Sequence, residues 1–376
     1  MVRASTLRIL LLFAAQKNAA VHQCDVKNAY LNSCLQDGVE LYLELPPKYK
    51  KFHQLPPELK GKPNVVCKWL VAVYRSKQGA HNWYAKVKSF FLNLGYSMSA
   101  ADEAMFYLYH GDKFIIVAAA TDDFTVIADS TKSANSLIQK QLTTHFEISD
   151  LGPINWLLGV SIACNLEDKT ISLSQQAYVE QIVSRFGLQN AWTTITPMEP
   201  GIDLSFDSPT VSLTLLTPTE KTKYREMISS LMYATIMMCP DIAFAVSTLS
   251  QYLDVPRTTH LIAVTRVFRY LSGTKDLKLV LGGNDSDIAG YSDADWASQM
   301  HRHPISRFTY FIRAGVINWS SKKQPIITLS STEAKYVALT HALKDILWIH
   351  KLLTELSSIF SFTLPTTLFC DNQGTI

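Results

Sequence analysis

Asp122 and Asp123 are adjacent, and with Thr121 they are all that separates two apolar runs, residues 114–120 and 124–128. Such runs read as buried strands, so the segment is a hairpin with two acids at its tip. Like charges that close repel, and without a partner one is pushed toward its protonated form. A divalent cation removes the conflict. Asp25 ends another strand-like stretch, within VHQCDVKNAYL, and completes a set of three carboxylates. An all-oxygen set suits Mg²⁺, which binds few carboxylates and keeps waters and substrate phosphates. Two such ions ~3.5–4 Å apart clamp the attacking and leaving oxygens of a phosphoryl transfer. The plainer alternative is a turn pair, since Asp favours turns.

The rest of the chain bounds the class. Its 376 residues suit two or three domains at roughly 100–200 residues each. Hydrophobic residues make up 47% and charged residues 18%, enough for a sizeable core and unlike a disordered chain. A net charge of +3 excludes a polycationic tail and leaves room for a local basic groove. Cys24, Cys34, Cys67, Cys164, Cys239 and Cys370 lie far apart without a CxxC pair. That argues against a zinc module or a disulfide scaffold and for a reducing compartment. Neither GxGxxG nor a P-loop occurs, which disfavours a dinucleotide enzyme or an ATPase. Residues 9–15 are apolar behind Arg3 and Arg8, in the manner of a signal peptide. The run is short and has no clear cleavage site, so it reads as a core helix capped near Ser5 or Thr6. No apolar stretch reaches the ~20 residues of a membrane helix.

Further elements follow from pattern. Asp37-Gly38 signals a hairpin before an alternating strand over 39–45, and a lysine-rich loop carries Lys48, Lys50, Lys51, Lys60 and Lys62. Residues 83–94 read as an amphipathic helix ending at Gly95. A hairpin over 158–164 and 170–173 precedes a helix over 176–186. Residues 193–219 are rich in Pro, Ser and Thr and read as a linker or long loop. Helices over 223–238, 242–252 and 260–271 come next, then strands from 288, a long helix over 332–356 and a last strand over 367–370.

A second set of acids is spread over the C-terminal third. Asp293 lies in the strand-like YSDADWA, Glu333 opens the long helix, and Asp371 follows the last strand. Each has an ordinary alternative. Ser330-Ser331-Thr332-Glu333 fits a capping box, Asp371-Asn372 starts a turn, and Asp293 and Asp295 alternate outward.

VHQCDVKNAYLN, SKQGAHNWY, TDDFTVIAD, ISDLGPINWLLGVSI, PDIAFAV, THLIAVTRVFRYLSGT, YSDADWA, INWSSKKQPIITLSSTEAKY and FCDNQ occur in that order over almost the whole chain. With these pieces the chain resembles the polyprotein reverse transcriptase of copia-type LTR retrotransposons. The resemblance implies an α+β fold. It expects a reverse-transcriptase palm and thumb-like region lacking most of the fingers, then a truncated ribonuclease H-like α/β domain. It places Asp25, Asp122 and Asp123 on the polymerase metal triad, with Mg²⁺ or Mn²⁺ as cofactor. Tyr30 falls on the aromatic under the nucleotide sugar, which excludes a 2′-hydroxyl; the alternative for a Tyr is ordinary packing. Gln78, beside Gly79, falls on the nucleotide-contacting Gln, or is simply a polar residue at a helix start. Asp150-Leu151-Gly152 through Ile162 falls on the hairpin that holds the primer end. Asp293, Glu333 and Asp371 fall on the ribonuclease H acids, implying two-metal hydrolysis of RNA paired to DNA. Lys322 and Lys323, near Trp319, are candidates for the hybrid backbone.

The implied partners are an RNA template, a DNA primer, an RNA–DNA hybrid and deoxynucleoside triphosphates, with no membrane. The compartment that the resemblance implies is the cytoplasm, with the nucleus as second choice. The expected boundaries are 1–192 for the palm and thumb-like region, 193–219 for a linker, 220–286 for a connecting helical region and 287–376 for the ribonuclease H-like domain. Several positions depart from the family. Ala120 replaces an aromatic, Arg75 a Gly and Cys239 an Arg. Gly is usual near Arg307 and Arg313, Glu at Lys335, and Ser or Thr at Pro304. These departures, with the expected truncations, read as decay of the element. The competing readings are a non-catalytic nucleic-acid-binding remnant and an inert pseudogene product.

Overall fold

A computed structural model describes residues 1–376 except 34, 36–38, 47, 50–52, 61, 63, 75, 166, 207, 210, 284–287, 296–302, 313–314, 361, 363–364 and 376. The Asp37-Gly38 turn, Lys50, Lys51, Arg75 and Arg313 lie outside the described residues. Contacts divide the chain into two units. The first comprises residues 1–2, 20–99 and 103–153, and the second residues 3–19, 100–102 and 154–376. The architecture is mixed α+β.

The N-terminal apolar run forms α1 (Ala4–Lys17), which belongs to the second unit. Every residue from Ser5 to Ala15 is buried, the expected fate of a helix with no polar face. Its cap differs from the sequence expectation. Arg3 is the N-cap, and Ser5 and Thr6 already lie in the first turn. Asp102 Oδ2 accepts the Arg3 N–H at 2.9 Å and the Thr6 hydroxyl at 2.6 Å. A carboxylate nearly a hundred residues away does the capping, which local spacing does not reveal.

The first unit continues with β1 (Ala20–Val26), the small ribbon of β2 (Tyr42–Glu44) and β3 (Val66–Lys68), and α2 (Lys77–Asn93). It is completed by β4 (Ser97–Met98), β5 (Met105–His110), β6 (Lys113–Ala120), β7 (Asp123–Ala128), α3 (Thr131–Leu137) and β8 (Ile148–Pro153). Six strands form one antiparallel sheet in the order β4-β5-β6-β7-β1-β8. The apolar runs flanking the paired aspartates are β6 and β7, both inside that sheet. Phe91, Phe106 and Phe124 are fully buried and pack with Trp83, Val87, Val117 and Val126 into the core. Burying each such aromatic is worth roughly 1.5–3 kcal/mol. The helix α2 starts six residues before the expected position 83, because Ser76 caps it by accepting the Gly79 N–H at 3.0 Å.

The segment from Asp150 to Ile162 is not one hairpin, contrary to expectation. β8 pairs antiparallel with β1, whereas the next strands pair elsewhere. The break falls at Pro153, after which the chain enters the second unit.

The second unit carries β9 (Trp156–Leu157), β10 (Val160–Asn165) and β11 (Thr170–Ser174), then α4 (Gln176–Arg185), α5 (Pro218–Met237), α6 (Ala243–Ser250) and α7 (Thr258–Thr274). β12 (Leu279–Gly282) joins β9–β11 in a sheet ordered β12-β11-β10-β9. A second sheet is built from β13 (Ile288–Asp295), β14 (Ile305–Ile312), β15 (Gly315–Lys323) and β16 (Thr367–Cys370), in the order β15-β14-β13-β16. The long helix α8 (Ser331–Glu355) lies in sequence between β15 and β16 and packs on β13 and β14. β13 and β16 run parallel, the other neighbours antiparallel. The loop over 193–219 is anchored: Leu204 and Val211 are buried, and the Leu204 carbonyl lies 3.0 Å from His260 Nε2. Arg8 ties α1 to α5 and β15, donating to the carbonyls of Ile236, Met237 and Ile317 at 2.8–3.0 Å.

Candidate active site

The antiparallel register of β1 and β7 sets Asp25 directly opposite Asp123. Asp122 occupies the turn between β6 and β7, and its carbonyl accepts the Val26 N–H at 2.7 Å. All three acids are half-buried. Thr121, just before them, has a left-handed backbone with φ of 60°, a conformation uncommon for a β-branched residue. Trp83 of α2 holds it there: the indole N–H donates to the Thr121 carbonyl at 2.8 Å. The tip is therefore positioned by two strands and by a buried ring from the helix.

The electrostatics match the crowding. Burial pushes the Asp122 carboxyl above its ordinary range, and the charges of Asp25 and Asp123 add to that; a hydrogen bond from Tyr74 works against it. Burial and then the charge of Asp25 likewise raise Asp123, opposed by a hydrogen bond from Gln23. The bonds are Tyr74 Oη to Asp122 Oδ2 at 3.2 Å and Gln23 Nε2 to Asp123 Oδ1 at 3.2 Å. Asp122 Oδ1 is buried without a hydrogen-bond partner. An orphaned carboxylate oxygen beside two more acids is the environment a hard cation satisfies. The donors thus fit Mg²⁺ or Mn²⁺ in kind. As the side chains stand, no group of three or more His, Cys, Asp or Glu among the described residues is close enough together to hold an ion.

Tyr30 follows β1 in a short 3₁₀ turn over Ala29–Asn32 and stacks on Tyr74, with centroids 4.6 Å apart at 37°. The stack joins Tyr30 to the acids, because the Tyr74 hydroxyl is the group bound to Asp122. Neither Tyr74 nor Gln23 is singled out by the sequence. Gln23 lies two residues before Asp25 on the same strand, a usable signal, whereas Tyr74 lies in a segment without strong pattern. Gln78 is exposed in the first turn of α2. Gly79 beside it is required by space: a Cβ there would stand 2.6 Å from the Val73 carbonyl oxygen.

The C-terminal acids are arranged differently. Ser292 of β13 is in register with Cys370 of β16, so Asp293 and Asp371 follow side by side at the ends of two parallel strands. Lys335 of α8 reaches both, pairing with Asp293 Oδ1 at 3.3 Å and with Asp371 Oδ1. Burial works against the Lys335 ammonium, but hydrogen bonds to Asp371 and Asp293 outweigh it and leave its pKa raised. The Asp371 carboxyl is held below its ordinary range chiefly by the same bond. Glu333 is not gathered with these acids. Its N–H donates to Ser330 Oγ at 3.1 Å, and its Oε2 accepts the Leu329 N–H at 2.7 Å. The capping alternative is therefore the observed one, with the carboxylate one residue beyond a regular capping box. A divalent cation does not fit between Asp293 and Asp371 while an ammonium is bound to both.

The family model for Reverse transcriptase (RNA-dependent DNA polymerase) matches residues 1–200. The chain belongs to the reverse transcriptase family. Over its whole length the chain is 32% identical to the retrovirus-related Pol polyprotein from transposon TNT 1-94 of Nicotiana tabacum, covering 27% of that relative. It is 33% identical over 99% of its length to the Pol polyprotein from transposon RE1 of Arabidopsis thaliana, covering 24% of it. A putative transposon Ty5-1 protein of Saccharomyces cerevisiae is 27% identical over 86% of the chain and is covered throughout. The chain spans about a quarter of the length of the two plant polyproteins. The copia-type Pol resemblance read from the motifs and the matches to transposon polyproteins agree.

Proposed function

We propose that the first unit is a reverse-transcriptase palm that extends a DNA primer on an RNA template. The observation that carries this reading is Asp25 facing Asp123 across β1 and β7 at one sheet end, with Asp122 next to them and its Oδ1 buried and unpaired. Asp25, Asp122 and Asp123 would hold Mg²⁺ or Mn²⁺, which when bound supplies positive charge for the triphosphate and the attacking oxygen. The protein's own part is positioning. Trp83 fixes the turn, Gln23 orients Asp123, and the Tyr74 hydrogen bond favours the ionised form of Asp122 against its burial. Tyr30, propped by Tyr74, is the platform under the nucleotide sugar, and exposed Gln78 is the nucleotide contact. The substrates are deoxynucleoside triphosphates.

The domain reading accompanies this proposal: palm and thumb-like region 1–192, linker 193–219, connecting helices 220–286 and a ribonuclease H-like part over 287–376. A parallel pair inside an otherwise antiparallel sheet, covered by a long helix, supports the last part. An RNA–DNA hybrid is its partner, with Lys322 and Lys323 as backbone contacts; Trp319 is engaged inside the fold, donating to the Thr235 carbonyl at 3.0 Å. Lys335 stands between two of the three acids of that part. The test is primer extension on an RNA template with Mg²⁺, beside an Asp122→Asn control of equal thermal stability. Extension that vanishes in the control supports the reading. Folded parent protein that binds the primer–template and never extends it overturns it.

A further inference from the structure

We propose that the Lys335 ammonium is the built-in counter-ion of Asp293 and Asp371, standing where a metal ion would, so that this pair takes no divalent cation and clasps α8 to the ends of β13 and β16. The inference rests on the ion pairs of the second unit alone and holds whether or not the first unit polymerises.

Three observations carry it. First, the parallel register places Asp293 beside Asp371 near the C-terminal ends of β13 and β16, where the two like charges favour a cation between them. Second, the charge present is a lysine whose side chain is only 14% exposed and which contacts both acids. Ala294, next to Asp293, packs with Ala334 and Ala338 of α8 in one buried cluster. Those small side chains bring the helix close to β13, so the lysine beside Ala334 reaches the acids. Third, the nearest other carboxylate on the helix is turned away. Glu333 precedes Lys335 by two residues, about 200° around the helix, and its Oε2 is engaged by the Leu329 N–H. The helix position that faces the strand ends is 335, and it carries a cation in place of a third ligand. A Mg²⁺ ion needs oxygens at ~2.0–2.1 Å in octahedral array. It cannot share those two carboxylates with an ammonium already bound to them, and like charge opposes its approach.

The consequence is chemical. The second unit keeps the sheet and helix but has exchanged an exchangeable cation for a covalently tethered one. It is held together without metal, and any contact it makes with nucleic acid is binding without metal-assisted cleavage.

The test is Mn²⁺ binding by electron paramagnetic resonance on the full chain carrying Asp122→Asn and Asp123→Asn, so that the first unit contributes nothing. With Lys335 in place, no bound Mn²⁺ that depends on Asp293 is expected. Adding Lys335→Glu supplies a third carboxylate and should tighten Mn²⁺ binding by at least about tenfold, ~1.4 kcal/mol; adding Asp293→Asn should then abolish the gain. Bound Mn²⁺ in the Lys335 chain that disappears with Asp293→Asn overturns the proposal. So does a folded Lys335→Glu chain that binds no more Mn²⁺ than its parent. If Lys335→Glu does not fold, Lys335→Gln removes the charge and keeps most of the length. An Asp293-dependent Mn²⁺ signal is then the supporting result, and its absence from folded protein the overturning one.

Discussion

The Tyr74 hydroxyl donates to Asp122 Oδ2 over 3.2 Å while its ring stacks on Tyr30. One side chain thus links the proposed sugar platform to one of the proposed metal-binding acids. The bond favours the ionised carboxylate against burial and the charges of Asp25 and Asp123. Tyr74→Phe keeps the stack and removes the bond, so the Asp122 carboxyl titrates at higher pH. The acidic limb of the pH profile for primer extension should move upward, with little change in melting temperature. An unshifted limb would show that Asp122 ionisation is not governed by Tyr74.

The crowded acids should make the fold pH-dependent in a definite direction. Asp122 and Asp123 both titrate above the ordinary aspartate value of 3.8 when folded. At these two sites the folded chain binds protons more tightly than the unfolded one, so their contribution to stability falls as pH rises from 3.8 through the raised folded values. Asp123→Asn removes one of the like charges. In chelator at pH 7 it should raise stability by up to ~1 kcal/mol, the acids being partly solvated. The gain should vanish at pH values below the ordinary range, and saturating Mg²⁺ should close the gap at pH 7 by stabilising the parent alone. Denaturant melts at several pH values, with and without Mg²⁺, read both effects.

Two residues of α2 should matter for reasons far from solvent. Trp83→Phe retains most of the packing and deletes the bond to the Thr121 carbonyl, at a cost of ~1–2 kcal/mol. Extension should fall further than binding of the primer–template, because the freed turn carries Asp122. Gly79→Ala drives a methyl against the Val73 carbonyl and the Ser76 hydroxyl. Overpacking of that kind costs ~1–3 kcal/mol, and a melt that equals the parent would show that the 73–76 segment gives way.

Arg8 is a buried cation on α1, buried from Ser5 to Ala15, and it serves backbone carbonyls. Its Nε donates to Ile317, its Nη1 to Ile236 and Met237, and its guanidinium stacks 4.1 Å over the Trp319 ring. Arg8→Met leaves carbonyls at the end of α5 without these donors. A loss of ~2–4 kcal/mol is expected in urea melts, whereas Arg8→Lys should recover only part of it, since a single ammonium nitrogen cannot stand at both the Nε and the Nη1 positions.

How far the sequence reaches is visible in particular residues. Alternation and apolar runs locate β6, β7, α8 and β16, and the two apolar runs around Thr121-Asp122-Asp123 put the acids at a sheet end. The ordered motifs name the family. These are local signals: side-chain periodicity and turn chemistry act within a few residues, so a linear reading recovers them. What only the tertiary structure decided is which distant groups meet. Asp102 caps α1, Tyr74 binds Asp122 across 48 positions, and β8 pairs with β1 instead of folding back on β10. The same holds for the C-terminal acids. Glu333 is the expected third acid and Lys335 lies two residues on, yet the phase of α8 against β13 and β16 turns the lysine toward Asp293 and Asp371 and the glutamate into the helix cap. That phase is set by packing of Ala294, Ala334 and Ala338, a property of the folded interface that no window along the chain contains.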